Sequence, residues 1–128
     1  MTSNTVTSED RTIVERYLAL MQAGPNGIED LVSLFDDKAI YVEPFAGQPH
    51  THEGKAAIRA FFEVALSQHL YGLRLTLDRL DIDAGKLRSE WTCHLPGMPA
   101  PMRGFDLLDL RNGRIVRLET TVTQFPPH

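Results

Sequence analysis

From Leu73 onward the chain alternates apolar and polar residues over long stretches, and turn-forming residues interrupt the alternation at short intervals. Successive side chains of a strand point to opposite faces, so this pattern gives strands with one buried and one wet face. Leu87, Ser89, Trp91, Cys93 and Leu95 alternate with Arg88, Glu90, Thr92 and His94. The turn Asp83-Ala84-Gly85-Lys86 joins this strand to one running from Leu73 to about Asp83. The Pro-rich connection Pro96–Pro101 separates it from a strand over Arg103–Arg111, and Asn112-Gly113 is a strong hairpin signal before Arg114–Gln124. Short turns join antiparallel neighbours, so this half of the chain folds as a meander.

The first half has a different period. Thr7 or Ser8 can cap a helix whose positive end suits Glu9 and Asp10. Ile13, Val14, Tyr17, Leu18, Leu20 and Met21 form its apolar stripe, and Gly24-Pro25 ends it. Asn26 can cap a short second helix that buries Ile28, Leu31, Val32 and Phe35, and Asp36-Asp37 reads as a turn. Lys38–Glu43 is a short strand stopped by Pro44, and the polar residues from Gly47 to Glu53 read as a loop. Gly54 to about His69 is a third helix with Ile58, Phe61, Phe62, Ala65 and Leu66 inward. Residues before about Thr7 read as a polar tail. Helices first and strands afterwards give the class α+β, and 128 residues suit a single domain.

The bulk chemistry excludes several functions. A net charge of −4 with no basic run argues against nucleic acid or an anionic membrane surface as partner. No apolar stretch approaches the length of a membrane span, and the only cysteine, Cys93, forms no internal disulfide; a cytoplasmic location is the default expectation. His50-Thr51-His52-Glu53 fits no strong ligand motif, so neither a metal nor another cofactor is expected. Gly-x-Ser-x-Gly and the phosphate-binding glycine patterns are missing from the sequence.

Three polar residues stand out. Asp106 shares its strand face with Leu108 and Leu110. If that face is inside, burial raises the carboxyl's pKa, and a protonated carboxyl can donate a hydrogen bond to a developing oxyanion. The same pattern also fits a partly exposed carboxylate paired with Arg103 or Arg114. Tyr17 lies in the apolar stripe of the first helix, where its ring packs and its hydroxyl is free either to bond locally or to point into a pocket. Glu43 precedes Pro44, which holds it extended at the strand's end, as a general base or as a solvated terminus.

These residues fall into a known order. Tyr41-Val42-Glu43-Pro44-Phe45-Ala46-Gly47-Gln48-Pro49 followed by Gly54–Phe62 resembles the acid-Pro-x-x-Gly loop and third helix of the ketosteroid isomerases. Gly104-Phe105-Asp106 with Arg111–Val116 resembles their last hairpin. The resemblance extends to SnoaL-like domains and covers about Arg11 to Gln124. It implies a cone-shaped fold like that of nuclear transport factor 2, with three helices packed on a curved, mostly antiparallel sheet around a pocket. It also implies that Tyr17 and Asp106 form an oxyanion hole and that Glu43, where the family has aspartate, moves the proton. Phe45, Phe62, Trp91, Met98 and Met102 are then the expected apolar contacts of a small apolar, even polycyclic, ligand. Arg79-Leu80-Asp81 has the Arg-x-Asp spacing of the epoxide-hydrolase branch but lies one strand early. The same fold also serves carriers, sensors and assembly modules. A small core that must enclose a pocket favours pairing of two copies, so a homodimer through an apolar sheet face is expected.

Overall fold

The computed structural model describes residues 5–125; the expected tail before Thr5 lies outside the described residues. Helix α1 spans Ser8–Gln22, α2 Ile28–Ser33 and α3 Lys55–Ala65; the strands are β1 Phe35–Glu43, β2 His50–Glu53, β3 Arg74–Asp83, β4 Lys86–His94, β5 Met102–Arg111 and β6 Arg114–Gln124.

Thr7 caps α1 in a capping box: its hydroxyl accepts from the Asp10 N–H at 3.0 Å, and the Asp10 carboxylate accepts from the Thr7 N–H. Ile13, Val14, Tyr17, Leu18 and Met21 are its buried face. A 3-10 turn over Gly24–Gly27 leads into α2, which has no side-chain cap; the expected Asn26 cap is absent because that residue lies inside the turn. Gly54 enters α3 at φ +88°, a conformation that favours glycine, with its N–H bonded to the Ala39 carbonyl at 2.8 Å. Helix α3 ends at Ala65, short of the expected His69, and Leu66 and Leu70 continue into the core as turns.

The six strands form one sheet in the order β2-β1-β6-β5-β4-β3. Only β1 and β6 run parallel; every other pair is antiparallel. Two expectations are corrected here. Asp36 and Asp37 are not a turn: β1 starts at Phe35, which is fully buried and pairs with Ile115, and an irregularity before Ile40 absorbs the two carboxylates. His50–Glu53 is not a loop but an edge strand on the end of β1; its polarity suits an edge that water reaches.

Register irregularities at Leu77/Arg79, Arg103/Gly104 and Asp109/Leu110 bend the sheet around the helices. The inward face presents Leu87, Ser89, Trp91 and Cys93 from β4, and Met102, Asp106 and Leu108 from β5. The outward face is mixed rather than apolar. It carries ion pairs between Lys86 and Asp109, Arg88 and Glu90, and Arg117 and Glu119, with the Arg88 guanidinium 3.7 Å above the Phe105 ring. No helix among the described residues is long and apolar enough to cross a membrane.

Candidate active site

Asp106 lies mid-way along β5 on the inward face and is 3% exposed. It pairs with neither Arg103 nor Arg114. Its rung partners are Ser89 on β4 and Thr120 on β6, and the Thr120 hydroxyl donates to Asp106 Oδ1 at 2.7 Å. Burial pushes the carboxyl up to a pKa of about 6, with Thr120 and Trp91 opposing the rise.

Two tyrosines share this region. Tyr17 from α1 is buried, and its pKa rises well above the ordinary value through burial first, then the neighbouring Tyr41 and Asp106. Tyr41 from β1 is fully buried, stacked on Phe62 with ring centroids 5.4 Å apart. Burial, then Asp106, raises its pKa as well. Tyr17 and Thr120 lie near enough to act on its ionisation, yet its hydroxyl has no hydrogen-bond partner. An unpaired buried hydroxyl costs about 1–3 kcal/mol, a cost that an acceptor atom in the cavity would relieve.

Tyr17, Tyr41, Asp106 and Thr120 are the polar groups of a cavity whose other walls include Leu18, Met21, Phe45, Trp91, Cys93 and Met102. The cavity is narrow, about 30 Å³, little more than a water-sized molecule needs. Gly104 stands opposite Trp91 in register: a Cβ there would lie 2.9 Å from the indole ring and would collide with the Thr121 carbonyl oxygen. The Cys93 thiol, pushed up to about 11 by burial, stays protonated and is a poor nucleophile.

Glu43 is also buried, at 3% exposure, so it is not a solvated strand end. It does not line the inner cavity. Its Oε1 accepts the Phe45 N–H at 2.9 Å, and its Oε2 lies 2.9 Å from His52 Nε2, the imidazole acting as donor. His50 Nδ1 stands 3.9 Å from the same oxygen. Glu43, His50, His52, Phe61 and His69 instead line an outer cleft of about 490 Å³, and Phe45 belongs to both walls.

Of the expected apolar contacts, Phe45, Trp91 and Met102 line the inner cavity. Phe62 does not; it is fully buried behind Tyr41 and close to Phe35, where it fills the core. Met98 does not either, because the β4–β5 connection carries it outward to 50% exposure. Tyr41 and Thr120 line the inner cavity and His52 the outer cleft; sequence reasoning gave the first two no role and weighed His52 only as a metal ligand. Tyr41 was within reach, since it stands two residues before Glu43 and shares its strand face.

The SnoaL-like domain family matches residues 14–118, which include every polar residue of both hollows except Thr120. The chain belongs to the SnoaL-like family. Solved structures show the same fold at low identity. A candidate ketosteroid isomerase from Kribbella flavida has a TM-score of 0.72 at 18% identity, covering 98% of this chain and 87% of its own. An NTF2-like protein of unknown function from Mesorhizobium loti gives 0.71 at 18%, with 91% and 92% covered. A candidate polyketide cyclase from Sinorhizobium meliloti gives 0.67 at 20%, with 86% and 94% covered. No curated protein matches the chain. Within this SnoaL-like chain, the α+β fold of three helices on a mostly antiparallel sheet is thus that of NTF2-like proteins.

Proposed function

We propose that this SnoaL-like protein is an isomerase-type enzyme that moves a proton next to the carbonyl of a small apolar molecule. The observation that carries this reading is the convergence of Tyr17, Tyr41 and Asp106 in one apolar cavity, with the Tyr41 hydroxyl unpaired. Donors preorganised in low dielectric stabilise an enolate oxygen more than water does, because they need not reorient as charge develops. Asp106 serves as a donor in its protonated form, and burial favours that form. Glu43, whose Oε2 is bonded to His52, is the base at the far side of Phe45. A glutamate there reaches farther than an aspartate would, and a misplacement of about 1 Å costs about a hundredfold in rate.

The test is turnover of a β,γ-unsaturated ketone, followed by conjugated product absorbance. We expect Glu43→Gln and Asp106→Ala each to lower the rate sharply; unchanged rates in both would remove these roles.

A second reading has its own support. Both Glu43 oxygens are already engaged, which suits a carrier or sensor that binds the same class of ligand without chemistry. Ligand binding that survives Glu43→Gln, with no product from the unsubstituted protein, would select it.

A further inference from the structure

The inner cavity of about 30 Å³ is far below the roughly 300 Å³ or more that organic ligands occupy. Some wall must therefore move before a molecule larger than water reaches Asp106. Among the residues lining the cavity only Phe45 and Leu75 are partly exposed; the others are buried. Leu75 is fixed in the β3–β4 ladder opposite Cys93, and its carbonyl accepts from Gln22 Nε2 at 3.2 Å. Phe45 lies in the connection between β1 and β2, outside any ladder. Its N–H is pinned to Glu43 Oε1, so its backbone is held while its ring is constrained only by packing. That ring stands 6.4 Å from Phe61, nearly parallel to it, and 6.4 Å from His69, both residues of the outer cleft.

We infer that Phe45 is the wall dividing two halves of one substrate chamber, and that ligand reaches Asp106 through the outer cleft by displacing the Phe45 ring. With the ring swung aside, the Glu43–His52 pair and the Tyr17–Tyr41–Asp106 cluster flank a single passage. The ligand class follows. It is an elongated apolar molecule whose oxygen enters first and whose body remains against Phe61 and Phe45. This rests on the reading of the inner cavity as the ligand site, and it supplies the step by which Glu43 and Asp106 come to face the same molecule.

Trp91 is the chain's only tryptophan and lines the inner cavity, so its fluorescence reports access from outside. Quenching by acrylamide, a small neutral molecule, measures that access without any substrate. Phe45→Ala should raise the Stern–Volmer constant several-fold, with Phe45→Leu as an intermediate should the alanine variant fold poorly. Phe105→Ala, which removes an equal ring from the outward sheet face beneath Arg88, should leave it near the unsubstituted value and controls for general loosening. The inference is overturned if Phe45→Ala and Phe45→Leu quench like the unsubstituted protein, or if Phe105→Ala or Leu75→Ala opens Trp91 equally. A failed isomerase reading looks different: no product forms, while Trp91 access still responds to Phe45.

Discussion

The Thr120 hydroxyl donates a 2.7 Å hydrogen bond to Asp106 Oδ1 across one rung of the β5–β6 pair, with Asp106 3% and Thr120 6% exposed. The bond favours the charged carboxylate, while burial favours the neutral acid, and burial prevails. Asp106 is thereby held close to the pH at which a carboxyl can act either as donor or as base.

The first expectation concerns stability. The folded-state pKa of Asp106, about 6, lies above the ordinary 3.8. The folded state therefore binds the proton more tightly, and the associated stability is complete below about pH 4 and lost as pH rises through 6. The difference is of order 2–3 kcal/mol. Urea unfolding at pH 4 and pH 7.5 should show the unsubstituted protein losing that much more than Asp106→Asn, in which the titrating group is gone. Equal losses in the two proteins would mean that Asp106 is not perturbed.

A second expectation separates donor from base. If Asp106 gives a hydrogen bond to substrate oxygen as an acid, kcat/KM falls about tenfold per pH unit above pH 6. Asp106→Asn donates at every pH, so it should flatten that limb while keeping part of the rate. A kcat/KM that instead rises through pH 6 assigns Asp106 the role of base.

Tyr41→Phe tests the unpaired hydroxyl. Removing a buried donor that has no partner should leave stability unchanged or raise it by about 1 kcal/mol. Binding of a phenol or ketone ligand should weaken at the same time, as read by titration calorimetry. A large loss of stability would show that the hydroxyl is structural.

Gly104→Ala should displace Trp91, a wall of the cavity. The added Cβ collides with the Thr121 carbonyl oxygen and lies 2.9 Å from the Trp91 ring, so strand and indole must both shift. Overpacking of this kind costs about 1–3 kcal/mol. Thermal unfolding gives the cost, and a changed Trp91 emission maximum shows that the ring has moved.

Much of this was legible in the chain alone. Alternation with period two put Asp106 on the face of Leu108 and Leu110, and that face is the inside. Helical spacing put Tyr17 among Ile13, Val14, Leu18 and Met21, and all of them are buried. Resemblance joined Tyr17 to Asp106, and the two line one cavity. It also joined Glu43 to them, but the structure sets Glu43 behind Phe45, tied to His52 of a strand whose polar sequence reads as a loop.

The partner of Asp106 shows where local reading stops. Continuing the register of Arg111 with Arg114 and Leu110 with Ile115 would bring Glu119 opposite Asp106; an irregularity between Asp109 and Leu110 moves the pairing by one and brings Thr120 there instead. A one-residue shift exchanges every side chain between faces, so it turns the Glu119 carboxylate outward and sets a hydroxyl donor beside Asp106. Sequence by itself determined the class, most of the elements and which residues share a face with Asp106, because period and face are properties of a few neighbouring residues; that this face is the inside was decided by packing. Tertiary structure alone decided what Asp106 meets and what Glu43 does not, because bulges, edge pairing and the placement of Phe45 are settled by packing between segments far apart in the chain.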